Sequence, residues 1–148
     1  MPTHLTYVKH YRDLEVYKRQ RALSRGIFLT SKTFPSEERY ALTDQIRRAS
    51  RSIGAQIAEA WGKRLYPKHF VSKLTDADGE QLETQHWLTE AYDCGYLSKD
   101  DTKRLVEQCE EIGRMLGAMI RKADSFASDS YSVREKPPSY LTDPTDRE

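Results

Sequence analysis

The chain has 148 residues, 37% of them hydrophobic and 32% charged, enough for one domain with a modest core. It holds no apolar run near the roughly 20 residues that cross a bilayer, and its start, Met1-Pro2-Thr3-His4, does not read as a secretory signal. The net charge of +1 hides an asymmetry: residues 1–72 carry 14 Lys+Arg against 6 Asp+Glu, and residues 73–148 carry 10 against 17.

In chain order, a lead-in through Tyr11-Arg12 precedes a first helix, predicted from an Asp13 N-cap toward Thr33. Its apolar positions are Leu14, Tyr17, Leu23, Ile27, Phe28 and Leu29, and Lys18, Arg19, Arg21 and Arg25 fill much of the rest. Phe34-Pro35 stops it, because proline denies the residue before it an easy α conformation. Ser36 is the expected cap of a second helix, with Glu37 and Glu38 favourably placed in its first turn. Leu42, Ile46, Ala49, Ile53, Ile57 and Ala60 recur at steps of three and four and define its core face. Gly54 interrupts that face and predicts close packing or a bend.

Trp61 to Pro67 is the next connection, with Pro67 in the first turn of a third helix. Phe70, Leu74, Ala77, Leu88, Ala91 and Tyr92 share one side of it, and Gln81, Thr84 and Gln85 fall on the same side. That polar seam needs internal hydrogen bonds. Cys94-Gly95 ends the helix and Ser98 caps a fourth, whose Leu105, Cys109, Ile112, Leu116, Met119 and Ala123 give the most regular spacing in the chain. After about Ser125 the pattern is lost. The expected architecture is all-α: an antiparallel up-down-up-down four-helix bundle over residues 1–125 and a disordered C-terminal tail over 126–148.

Chemistry is sparse. Glu83 and His86 form an E-x-x-H, but a di-iron bundle needs two such pairs and further carboxylates, so surface roles are expected and no metal or other cofactor. Cys94 and Cys109 lack metal spacing and read as reduced, structural thiols. No histidine stands in a nucleophile motif, and the glycines do not form a phosphate loop. The expectation is a non-enzymatic protein. The candidate binding residues are Arg47, Arg48 and Arg51 on the second helix and Lys63 and Arg64 in the following connection, with Arg21 and Arg25 on the first helix as secondary members. Arginines near aromatic residues can pair with phosphates and stack on bases. The competing reading is a solvated helix face, with Asp44 neutralising Arg47 and Arg48. Glu59 is a candidate partner for an arginine of another helix or subunit.

Several blocks in fixed order carry a resemblance. They are Tyr11-Arg12-Asp13-Leu14-Glu15-Val16-Tyr17, then Phe34 through Ala49, then Ser52-Ile53-Gly54-Ala55-Gln56-Ile57-Ala58-Glu59-Ala60. Glu83-Thr84-Gln85, Cys94-Gly95-Tyr96-Leu97 and Glu111-Ile112-Gly113-Arg114-Met115-Leu116 follow. Over about residues 11–123 the chain resembles the bacterial four-helix bundle proteins associated with intervening sequences in large-subunit ribosomal RNA genes. It departs from the family pattern at Gly54-Ala55-Gln56, at Glu59-Ala60, and in the more polar stretch Asp76-Ala77-Asp78-Gly79-Glu80. The resemblance implies a homo-oligomeric, pentameric ring with a basic surface for nucleic acid, RNA ahead of DNA. It extends in fold to the accessory proteins of diversity-generating retroelements, which partner a reverse transcriptase. The alternative function is therefore a scaffold or accessory subunit for a protein partner such as a polymerase. A cytoplasmic location and no membrane partner complete the expectation.

Overall fold

The computed structural model describes residues 8–133, and side chains as far as 128. Four long helices, α1 (Glu15–Ser31), α2 (Asp44–Gly62), α3 (Pro67–Asp93) and α4 (Lys99–Arg121), are followed by the shorter α5 (Ala123–Val133). Each long helix packs on the next, and α4 returns to α1, closing the four-helix bundle. The cross-helix contacts run in antiparallel register: Arg19 meets Glu111 near one end of the α1–α4 pair, while Gly26 faces Leu105 farther along. Among the described residues no helix is long and apolar enough to cross a membrane.

The helix boundaries show where local chemistry competes. Asp13 is not the cap of α1: residues Tyr11–Asp13 make a 3-10 turn capped by His10, whose Nδ1 accepts from the Arg12 N–H at 3.2 Å, and Leu14 occupies the cap position. Ser36 likewise offers no side-chain cap. It opens a 3-10 turn, Ser36–Glu38, which passes through a wider π turn, Arg39–Thr43, before α2 settles at Asp44. Pro67 does stand at the first position of α3. Gly95 ends that helix with φ +81°, the only positive φ among the described residues, and Tyr96 N–H returns to the Ala91 carbonyl at 2.9 Å. Ser98 Oγ accepts the Asp101 N–H at 3.0 Å and caps α4.

The core follows the expected stripes of α2, α3 and α4 except at Tyr92, which is 43% exposed, with Ile53, Ile57, Phe70, Leu74, Leu88, Leu105, Ile112 and Leu116 wholly buried. On α1 the buried face is Val16, Gln20, Leu23, Ile27 and Ser31, whereas Leu29 is 48% exposed. The helical structure also outlasts the expected boundary at 125. Phe126, on α5, lays its ring 5.1 Å from that of Phe70, so burial of an aromatic extends the helix past Ser125. The remainder of the expected tail, from 134 on, lies outside the described residues.

Two polar contacts sit inside the bundle, each against a glycine. Gln20 Nε2 donates to the Ser50 carbonyl at 2.9 Å, and a Cβ on Gly54 would come 2.7 Å from the Gln20 amide carbon. On the other side, Gln81 donates to Asp78 Oδ1 at 3.0 Å and accepts from Gln85 at 2.8 Å, with a Gly113 Cβ position 2.8 Å from its amide nitrogen. The glycines let a buried amide lie on the opposing backbone. Gly54→Ala is therefore expected to lower stability by about 1 kcal/mol: displacing the buried Gln20 amide costs about 1–3 kcal/mol, offset by up to about 1 kcal/mol of helix propensity. In a Gln20→Ala background the same substitution should stabilise, and a double-mutant cycle by chemical denaturation reads the change of sign.

Candidate nucleic-acid interface

At about 100° per residue, the buried face of α1 fixes what its outer face must carry. Lys18, Arg21, Arg25, Phe28 and Lys32 follow one another along that outer side, opposite Leu23 and Ile27. The one acid within α1, Glu15, is engaged by Arg19 at 3.9 Å, and Arg19 also pairs with Glu111 at 2.6 Å. Among the described residues Lys18, Arg21, Arg25 and Lys32 form no ion pair.

Packing of α2 on α1 adds two more cations at the Phe28 end. Arg47 donates from Nε to Ser31 Oγ at 2.8 Å and holds its guanidinium 4.9 Å from the Phe28 ring centre. Arg51 lies 5.7 Å from the same ring, and Lys32 Nζ 4.9 Å from it. Phe28 is thus half-buried under three cations, none of them paired with a carboxylate among the described residues. Asp44 does not neutralise Arg47 or Arg48, since no ion pair joins them. Cation–π contact orients the guanidiniums while leaving their positive charge uncompensated.

The other expected residues divide. Arg48 is exposed and sits further round α2, without contact to Phe28. Lys63 is exposed in the turn after α2, beside the start of α1 because the two helices are antiparallel. Arg64 corrects the expectation: it is only 6% exposed, stacks 3.9 Å from the Trp61 ring centre and donates to the Trp61 carbonyl at 2.8 Å. That is the conduct of a side chain closing the C-terminus of α2, where orphan carbonyls need donors. Glu59 pairs with Lys73 of α3 at 2.9 Å rather than with an arginine, and this contact raises the Lys73 pKa.

Sequence reasoning missed Phe28, Lys18 and Lys32. Phe28 is one of the apolar positions of the first helix, yet its angular position places it among the cations. Elsewhere, Glu83 accepts the Trp87 indole N–H at 3.0 Å and His86 lies edge-on to the Trp87 ring. No group of three or more His, Cys, Asp or Glu suited to a metal occurs among the described residues. Cys109 is buried, which pushes its thiol up to about 12 and keeps it inert, while Cys94 is exposed.

The chain is matched over residues 12–118 by the family model described as 23S rRNA-intervening sequence protein. Its fold is similar to that of a protein of unknown function from the S23 ribosomal protein family of Bacteroides thetaiotaomicron. That similarity has a TM-score of 0.63 and 25% identity, covering 71% of this chain and 97% of the other. Among the curated proteins none matches. The order and spacing of the helices, the matched span and the shared fold agree, and the chain belongs to the 23S rRNA-intervening sequence protein family.

Proposed function

We propose that this chain is a non-catalytic, oligomeric protein that binds nucleic acid, RNA ahead of DNA, along the outer face of α1 and the adjoining edge of α2. The observation that carries the reading is the set of uncompensated cations gathered on that face, with Arg47, Arg51 and Lys32 arranged on Phe28. Phosphate contacts of this kind position a strand without reading its bases, so binding is largely independent of sequence. The family's name, which refers to 23S rRNA, supports RNA as the first polymer to test. Arg21, Arg25, Arg47 and Arg51 are the central contacts. Arg48 and Lys63 lie at the margins, and Arg64 acts inside the fold.

Self-association uses a different surface. On α3, Val71, Thr75, Leu82 and Thr89 recur at steps of four and seven along one ridge, with Asp78 between Thr75 and Leu82 and Leu82 54% exposed. That spacing suits helix-on-helix packing between copies. The test of the binding reading is a salt series on a labelled structured RNA. A log–log slope of several units, at about −0.7 to −0.9 per neutralised phosphate, supports it, and no binding at low salt overturns it. Sedimentation equilibrium on the same sample checks the five-subunit ring.

A further inference from the structure

The basic stripe does not fade evenly toward the start of α1; it ends in a concavity. Arg12, Tyr17, Lys18 and Arg21 line a shallow cleft of about 370 Å³, broadly open to solvent. A chain of rings reaches Tyr17, which lines the cleft. His10 and Tyr11 rings lie 4.3 Å apart, Tyr11 meets Tyr17 edge-on at 5.0 Å, and the Arg12 guanidinium stands 5.4 Å from the Tyr11 ring centre. His10 Nδ1 accepts the Arg12 N–H, which fixes the turn that presents Arg12. Among the described residues no carboxylate lines the cleft, and none of its three cations is in an ion pair.

Three cations on one cleft repel one another, and the anion that best relieves them carries more than one charge. An internal phosphodiester carries a single charge, whereas a phosphate monoester carries about −1.5 to −2 at neutral pH and offers three acceptor oxygens. The cleft also sits at one terminus of the stripe, where a strand lying along α1 would run out. We infer that the Arg12–Lys18–Arg21 cleft receives the terminal phosphate monoester of a nucleic-acid strand, with Tyr17 against its last nucleotide. This rests on the nucleic-acid reading above and gives it a direction: the strand is held by its end.

The test uses the full chain and three single-stranded RNA oligonucleotides of one sequence, ending in a 5′-hydroxyl, a 5′-phosphate or a 3′-phosphate, with the label at the end away from the variable group. One of the phosphorylated strands is expected to bind about tenfold tighter than its hydroxyl counterpart at the same salt, and which one it is assigns the polarity. K18Q/R21Q, on exposed side chains, should equalise the three strands, all of them bound more weakly than by the native chain because Arg21 also belongs to the stripe. R47Q/R51Q should weaken all three strands and preserve their ratio. Equal binding of all three strands to the native chain overturns end recognition and leaves the stripe intact. A preference that survives K18Q/R21Q overturns the assignment to this cleft. No binding of any strand overturns the nucleic-acid reading, and end recognition with it.

Discussion

Replacing Phe70 by alanine is expected to remove about 3–5 kcal/mol of folding stability, the largest loss from any single side chain considered. Phe70 stands in the first turn of α3, is wholly buried, and joins the bundle core to α5 through the Phe126 ring. Its removal forfeits the transfer energy of an aromatic ring and leaves a cavity between helices that cannot close without moving the start of α3. Set against the roughly 5–15 kcal/mol that stabilises a typical domain, this is a large fraction. A guanidinium chloride transition should shift to lower denaturant with an unchanged slope. Phe126→Ala supplies the contrast. That ring is only half-buried, so its loss should release α5 locally, seen as faster amide exchange in residues 123–133, while the bundle transition moves much less. Equal losses from the two substitutions would make α5 part of the same cooperative unit.

The two halves of the Phe70–Phe126 pair also show what the sequence made legible. Phe70 belongs to a stripe of residues three and four apart, and periodicity alone placed it in the core, as it did Ile53, Ile57, Ile112 and Leu116. Phe126 sits in a stretch rich in serine and aspartate, where no repeat survives, and only its contact with a residue 56 positions earlier explains the helix around it. Contacts so distant in sequence leave no local signature. The same holds for Gln20, buried because Gly54 on the facing helix makes room; Gln81 is legible from its spacing on the core side of α3, and only its facing Gly113 is not. Gly54 signalled close packing in the sequence; its partner across the bundle did not. Caps were legible where a single residue decides them, Ser98 by its hydroxyl and Gly95 by its positive φ. They were not legible at Asp13 and Ser36, where 3-10 and π turns intervene.

For the binding face, residue type was readable and direction was not. The excess of Lys and Arg in the first half pointed to α1 and α2, and Arg47 and Arg51 do share one ring of Phe28. Arg64 carries the same charge on the page as Lys63, yet it is folded over Trp61 because the end of α2 supplies both a carbonyl and an aromatic face. An arginine's destination depends on which acceptors its backbone brings within reach. The turn after Gly62 decides that, and the composition of the segment does not.

The quadruple variant R21Q/R25Q/R47Q/R51Q should separate charge from fold more sharply than any single change. All four side chains lie outside the buried core, so circular dichroism and the denaturation midpoint should stay close to those of the unsubstituted chain. Arg47 is the one with a structural bond, to Ser31 Oγ, and glutamine keeps a donor there. Binding should respond strongly. With a single-stranded RNA at about −0.7 per phosphate, four lost contacts flatten the log–log salt slope by about 3 units. Four such contacts account for about a 50-fold fall in affinity between 50 and 200 mM salt in the native chain, and the variant should lack that part of the dependence. Arg64→Gln is the opposite control: it should lower stability through the loss of the Trp61 stack and the carbonyl contact, with the salt slope unchanged. A quadruple variant that keeps the native slope would place the phosphates elsewhere on the molecule. The cations on Phe28 would then be a solvated face held in order by its aromatic ring.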